Sequence, residues 1–378
     1  MKILIAGDYC PQGRVASMLS KKDYTFFDNI KEVICDVDYS IVNFECPIVE
    51  GDSKPIVKSG PALRTICASI DSIKYAGFDC VTLANNHFRD YGDDGCITTI
   101  NELQKHNIDF VGGGCNLEEA QKILYKQIDG KTLAIVNFCE NEFSIATDTQ
   151  AGAAPLDAVD NYNQITEARR IADYVLVIVH GGHEHYQLPS PRMKKLYRHF
   201  VTIGADAVVN HHQHCYSGYE EYCGKPIFYG IGNFCFDWKG KRSSEWNRGY
   251  CVLLEFNNEI SYEICPFEQC DDDLSVRLMT DNEKIKIDED IRLLNNIILS
   301  DDELESYFED FVRNNDNSIQ TVFFSYHNRY LNAAANRKLL PRPSSLKEIV
   351  SCFNLLCCES HRDVVTRNIL RIIEQKQK

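Results

Sequence analysis

The sequence has no apolar run approaching the roughly 20 residues that a membrane-crossing helix needs. Its first ten residues, MKILIAGDYC, hold one lysine and a short apolar stretch and then turn polar. That is too short for a secretory leader, lacks a small-residue cleavage site, and is expected to form a first buried strand. Cationic charge is in short supply: 40 Lys and Arg stand against 55 Asp and Glu, a net charge of −15. Diffuse negative charge argues against nucleic acid and anionic membranes as partners, although a cation held in a pocket can reverse the field for an anionic substrate. No CxxC pair occurs among the 17 cysteines. An odd number of scattered thiols without an export signal fits the reducing cytoplasm, most of them serving as small buried hydrophobes. Low-complexity tracts and internal repeats are also missing. With 44% apolar and 25% charged residues the chain is not disordered, collagenous or disulfide-stapled, and its length allows a large core.

What is present is an alternation of short apolar runs and helix-like segments, an α/β pattern. Strands are expected over residues 3–6, 39–44, 80–84, 110–111, 133–138, 174–179, 207–209, 227–229 and 250–256, and helices over 66–76, 95–105, 161–171 and 191–203. The pattern changes after Asp271-Asp272-Asp273. From Glu283 onward helical periodicity takes over, with one stripe of Ile291, Leu294, Ile297 and Ile298 and another of Leu304, Tyr307, Phe308 and Phe311. PRPSS at 341–345 reads as a hinge before a last helix pair. The expected division is a domain over residues 1–270 and a helical region over 283–378.

Five of the apolar strands run directly into potential metal ligands: Asp8, Asn43 and Glu45, Asn85-Asn86-His87, His180 with His183-Glu184-His185, and Asn210 with His211, His212 and His214. In α/β sheets the carboxyl ends of parallel strands share one edge, and ligands bind there. Seven of the 11 histidines fall at three of these strand ends. Neutral imidazole combined with carboxylate and amide oxygen suits Zn, Mn or Fe and not an all-oxygen calcium cage. Taken singly, the same residues have plainer roles. Asp8 is a helix cap, Asn85-Asn86-His87 a loop hydrogen-bond network, and His211 a packed residue facing away from its neighbours on the strand. His106, His199, His327 and His361 read as surface or structural, Cys215 and Cys357-Cys358 as packed thiols. Gly112-Gly113-Gly114 lacks the Lys-Ser/Thr ending of a phosphate loop and reads as a turn, so autonomous ATP-driven ligation is not supported.

The segments GD, NFECPI, ANNHFRDYG, HGGHEHYQLPS, GADAVVNHHQHCYSGYE and PIFYGIGNFCFD, in that order over about residues 1–240, resemble the successive motifs of the CapA family. That family is named for capsule (poly-γ-glutamate) biosynthesis and is similar to calcineurin-like metallophosphoesterases. The resemblance implies a four-layer α-β-β-α sandwich, here with a C-terminal helical extension, and one or two divalent metal ions (Mn, Zn or Fe) at the strand ends. It makes Asp8, Glu45, Asn86, His180, His212 and His214 the metal ligands, with Glu45 where the wider superfamily has a bridging carboxylate. His87 takes the place of the histidine that touches a phosphoryl oxygen or protonates the leaving group. Those enzymes carry Asp-x-His at the first strand; this chain has Asp8-Tyr9-Cys10, with Cys10 either a soft ligand or a core thiol. Arg14 is expected to pair with a substrate phosphate or carboxylate, and Glu184 to orient a ligating imidazole, with His183 and His185 beside it.

The expected function is metal-dependent hydrolysis of a phosphoester in capsule or exopolysaccharide synthesis, on a small-molecule or anionic-polymer substrate, in the cytoplasm. Two alternatives stand: an enzyme acting on amide bonds or an anionic polymer of the poly-γ-glutamate type, and a non-catalytic subunit. In the last, the helical tail would dock a capsule-synthesis partner. The lack of an anchoring helix sets the chain apart from membrane-tethered members of the family.

Overall fold

A computed structural model of the chain describes residues 1–257, 259–315 and 345–377, with 330, 331, 334, 337, 339 and 340 between the last two. Among the described residues the strands are β1 (Lys2–Tyr9), β2 (Tyr39–Phe44), β3 (Cys80–Thr82), β4 (Asp109–Val111), β5 (Gly113–Gly114), β6 (Leu124–Ile128), β7 (Lys131–Cys139), β8 (Gly152–Ala153), β9 (Tyr174–His180), β10 (Ala207–His211), β11 (Tyr219–Tyr222), β12 (Lys225–Phe228), β13 (Asn233–Cys235), β14 (Arg248–Phe256), β15 (Ile260–Gln269) and β16 (Val276–Leu278). The larger sheet runs β16-β15-β14-β1-β2-β3-β4, with β13 beside β1; the smaller runs β11-β12-β10-β9-β7-β6. β1 to β4 are mutually parallel, as are β7, β9, β10 and β12, whereas β14 to β16 pair antiparallel.

The central strands are near-continuous apolar runs because both faces are covered. Along β1, Ile3 and Ile5 join Leu133, Ile135, Leu176, Ile178, Ala207 and Val209 of the smaller sheet in one buried cluster. Their neighbours Leu4 and Ala6 belong instead to a cluster with Ile70 and Ile73 of helix Ala68–Ala76 and Ile100 and Leu103 of helix Gly92–His106. The smaller sheet repeats the plan: Val136, Val177 and Val208 pack outward against Ile165 of helix Ala158–Ile171 and Tyr197 and Phe200 of helix Pro191–Ile203. Period-2 alternation in strands buried on both sides thus produces four layers, α-β-β-α.

All nine expected strands form, several with longer ends. The strands not anticipated are short or half-exposed: β6, β11 and β15 carry charged residues and partly open side chains, so no apolar run announces them. The glycine run is more than the expected turn. Gly113–Gly114 pairs with Gly152–Ala153, and Gly112, at φ +84°, makes room for Asn137, whose Oδ1 would lie 1.9 Å from a Cβ at 112. Asn137 uses the space to accept from the Ala84 N–H at 2.9 Å and to donate to the Ile178 carbonyl at 3.1 Å. It ties the end of β3 on one sheet to β9 on the other, next to the ligand-bearing turns.

The tail is not peeled away from the sandwich. Helix Asp281–Leu299 buries Ile287 and Ile291 in the inter-sheet cluster and Ile298 in the outer one, and helix Asp301–Asn314 buries Leu304, Phe308 and Val312. Tyr307, expected on that stripe, is half-exposed, and Val312 takes the place. Residues 341–344 of the expected hinge, and His327, lie outside the described residues. The last pair, Leu346–Cys357 and Glu359–Gln377, docks through Glu140, just past β7. The buried Glu140 carboxylate accepts from Arg192 at 2.6 Å, from the Ser360 hydroxyl at 2.8 Å and from the Ser360 N–H at 3.1 Å. Arg192 also donates to Asp363 at 2.6 Å, and Asn141 donates twice to Glu359.

Burial alone would push the Glu140 carboxyl up, but Arg192 and Ser360 reverse this and bring it down to about 2. A depressed carboxyl contributes stability that is complete above the ordinary carboxylate range and fades as pH falls through about 2. Glu140→Gln should therefore cost roughly 3 kcal/mol of tail docking, read as lost hydrogen-exchange protection in helix Glu359–Gln377. Wild-type protection should fall toward that of the variant across the same pH window; identical pH dependence in the two chains would contradict the assignment.

Candidate metal centre

The parallel arrangement delivers the carboxyl ends of β1, β2 and β3 from one sheet, and of β9 and β10 from the other, to a common edge. Register does the fine placement: Asp8 lies opposite Asn43 across β1 and β2, and His180 opposite His211 across β9 and β10. Beyond β10 the chain turns through His212 at φ +93° and His214 at φ +57°, left-handed conformations that cost about 1–3 kcal/mol each for residues other than glycine. The turn brings the His214 imidazole to Asp8 and Glu45 and the His212 imidazole to His180.

Two overlapping groups result. In the first, one ligand atom each from Asp8, Glu45 and His214 lies within 4.8 Å of the others, and all three residues are buried. His214 Nδ1 donates to Asn233 Oδ1 at 2.9 Å, which leaves Nε2 with its lone pair, 3.9 Å from Glu45 Oε1. In the second, His180 Nε2 is 3.1 Å from Asn86 Oδ1, 3.1 Å from His212 Nδ1 and 3.8 Å from Glu45 Oε1. Ligand atoms about 2 Å from one tetrahedral ion stand about 3.3 Å apart, so the spacing fits a cation between them. Glu45 belongs to both groups.

The electrostatics point the same way. Glu45 is completely buried, and neither carboxylate oxygen has a hydrogen-bond partner among the described residues. Burial, with repulsion from Asp8 and Glu184, pushes its carboxyl well above the ordinary value. Burial would also raise Asp8, but His211, His180 and His214 outweigh it and hold that carboxyl low; the Asn43 amide donates to it at 2.7 Å. Desolvation keeps His180 far below its usual value and brings His214 down to about 4, so both rings are neutral and able to ligate. A buried charge without a partner is what proteins avoid unless it is paired or coordinates a metal. The donor set of carboxylate, amide oxygen and neutral imidazole fits a divalent transition-metal ion.

The remaining expected residues are placed as follows. His87 Nδ1–H donates to Asp90 Oδ2 at 2.7 Å; Asp90 is also gripped by the Lys58 ammonium and by the Leu63 N–H at 2.7 Å. Asn85 is the loop brace, donating to the Phe44 carbonyl and accepting from the His87 N–H, whereas Asn86 turns to His180. Glu184 stays open to solvent at the mouth. Packing alone would raise its carboxyl, but His214, His212, His185 and His87 bring it down to about 2. His185 reaches Lys241. His183 is not at the centre, because its Nε2–H donates to the Ser360 carbonyl of the tail at 2.8 Å. Arg14 is not there either. Its guanidinium holds Asp237 at 2.9 Å and the carbonyls of Cys270, Asp271 and Asp272, so the fork expected for a substrate anion is occupied. Cys10 packs with Cys46, Leu63, Phe236 and Trp246, and burial holds its thiol protonated, which makes it a core residue. His211, expected to face away, brings Nδ1 to 3.3 Å from Asp8 Oδ1, because it continues the inner row of Ala207 and Val209; its neighbour His212 lies past the end of β10 and does not alternate with it. Asp90, three residues beyond His87, had a readable spacing; Lys58, from a distant loop, gave no signal.

Chelated, the wild-type protein carries Glu45 as an uncompensated buried carboxyl. Glu45→Gln should therefore melt higher than wild type in chelator, by about 2 kcal/mol of stability, and lower than wild type in excess Mn²⁺ or Zn²⁺. The same order in both conditions would remove the cation from the account.

Comparison with known proteins follows the same span. The chain is 33% identical over 223 residues to the capsule biosynthesis protein CapA of Bacillus anthracis, covering 57% of this chain and 54% of that one. It is 32% identical over 249 residues to the PGA biosynthesis protein CapA of Bacillus subtilis, covering 65% of each. It thus spans between half and two thirds of the length of these relatives. Among solved structures, a phosphatase from Mycoplasma pneumoniae overlays with a TM-score of 0.47 at 13% identity, over 72% of this chain and 95% of that one. The family model described as bacterial capsule synthesis protein PGA_cap matches residues 2–238, a stretch that takes in every residue of the centre from Asp8 to His214, and the chain belongs to that family.

Proposed function

We propose that the chain is a metal-dependent phosphoester hydrolase serving capsule or related polymer synthesis, with Asp8, Glu45, Asn86, His180, His212 and His214 holding one or two divalent ions. The observation that carries this reading is Glu45, a fully buried carboxylate shared by two ligand groups and lacking any hydrogen-bond partner among the described residues. What the bound ions supply is Lewis-acid polarisation of a phosphoryl oxygen. The chain's own groups do the rest. Asp90 accepts the hydrogen bond from His87 Nδ1–H and so leaves Nε2 to take up a proton and, from the imidazolium, pass it to the departing oxygen. Lys58 and the Leu63 N–H hold Asp90 in place. Burial raises the Asp90 carboxyl, and His87 and Lys58 more than offset that, keeping it ionised as the orienting partner. Asn233 does the equivalent for His214, pinning Nδ1 so that Nε2 faces Glu45.

A second reading, a non-catalytic subunit, has its own observation. Leu346, Ile349, Phe353 and Leu356, spaced along one face of helix Leu346–Cys357, are all more than half exposed, as a docking face for a capsule-synthesis protein would be.

Protein loaded with Mn²⁺ or Zn²⁺ should hydrolyse p-nitrophenyl phosphate or its diester and lose the activity in chelator. His87→Ala should retain its metal by elemental analysis while kcat falls by roughly 10²–10⁴, and His212→Ala should lose metal and turnover together. An unchanged rate in the His87 variant would remove its role. Full metal loading with no turnover on either ester would favour the second reading.

A further inference from the structure

Between Glu184, at the mouth of the centre, and the tail lies a cavity of about 240 Å³ that no step above uses. Three separate helices give its apolar walls: Phe311 from Asp301–Asn314, Leu355 from Leu346–Cys357 and Val364 from Glu359–Gln377. Its polar lining is one-sided. Glu184 offers an ionised carboxylate, an acceptor only. The His183 ring, 4% exposed, spends its Nε2–H on the Ser360 carbonyl, which leaves Nδ1 as a lone-pair acceptor with no partner among the described residues. Asn315 gives one Nδ2 hydrogen to the Phe311 carbonyl at 2.9 Å and keeps its amide oxygen as an acceptor beside the second N–H. His361 Nδ1 accepts from Asn354 and contributes a single N–H. No lysine or arginine lines the cavity among the described residues. The Phe311 ring, stacked on Tyr186 at 4.3 Å, adds an aromatic surface of the kind that attracts cations.

We propose that this cavity binds an alkylammonium group, the cationic amine end of a small ligand. An ammonium brings three donors and no acceptor, the complement of a lining built from a carboxylate, an imidazole lone pair and an amide oxygen. A phosphate or carboxylate would instead meet the Glu184 charge and find only two neutral N–H donors, from His361 and Asn315. The identification of that ligand as part of the phosphoester substrate rests on the function proposed above; ammonium binding by the cavity does not.

Isothermal titration of the protein as purified with n-butylammonium chloride, n-butanol and sodium butyrate separates charge from apolar fit. The ammonium is expected to bind in the millimolar range, at least tenfold tighter than the alcohol or the acid. Leu355→Trp, which fills the cavity, should abolish this binding, and the isosteric Glu184→Gln should weaken it about tenfold. Equal affinity for butanol, no binding of butylammonium, or binding that survives in Leu355→Trp would overturn the proposal. If Leu355→Trp does not fold by circular dichroism, undiminished binding in Glu184→Gln does so. Metal content measured in parallel keeps the two readings apart: ammonium binding in a protein that takes up no metal would defeat the hydrolase and leave the cavity standing.

Discussion

Everything at the centre depends on Glu45, whose carboxyl is buried beside Asp8, with no hydrogen-bond partner for its oxygens among the described residues. Two carboxylates cannot both stay ionised at that depth without positive charge nearby. The neutral imidazoles of His180 and His214 supply none; they supply lone pairs. Among the described residues no ammonium or guanidinium pairs with Glu45 or Asp8, and two such carboxyls among neutral nitrogen donors are stable only around a cation or a proton. The left-handed turns at His212 and His214 belong to the same constraint, since strain of that size persists where a site over-determines the backbone.

The fold places this pocket by making two parallel sheets end together. Period-2 alternation buries both faces of β1 and β9, and what remains at their carboxyl ends is polar by necessity, because the chain must leave the core there. Asn137, admitted by Gly112, braces one sheet against the other beside the site, so the two halves of the ligand set are held at fixed separation. The tail reaches the same edge through Glu140 and Arg192 and leaves a half-open cavity next to Glu184.

Much of this was legible in the residues. The apolar runs located the central strands and the polar residues that follow them, and the family resemblance selected Asp8, Glu45, Asn86, His180, His212 and His214 among these, which the structure gathers at one edge. Arg14 shows where such reading stops. A cation near the first strand looks free in sequence, yet Asp237, more than two hundred residues away, occupies its fork. His211 shows the reverse: set aside as facing away from its neighbours, it keeps the inner face of Ala207 and Val209, and the strand ends before His212 can alternate with it. Cys10 was undecided because a thiol after Asp8 suits either core or ligand, and only its neighbours Phe236 and Trp246 settle which.

By itself the sequence determined the α/β alternation and the strand ends where polar residues gather, which follow from local periodicity, while its motifs carried the family resemblance that implied the four layers. Tertiary structure decided which of those residues are already spoken for, that Lys58 backs Asp90, that His183 serves the tail, and that three distant helices wall a cavity beside the centre. The physical reason is range: backbone patterns act over a few residues, whereas the partner that saturates a guanidinium or leaves a carboxylate bare comes from anywhere in the chain, and only packing brings it within 3 Å.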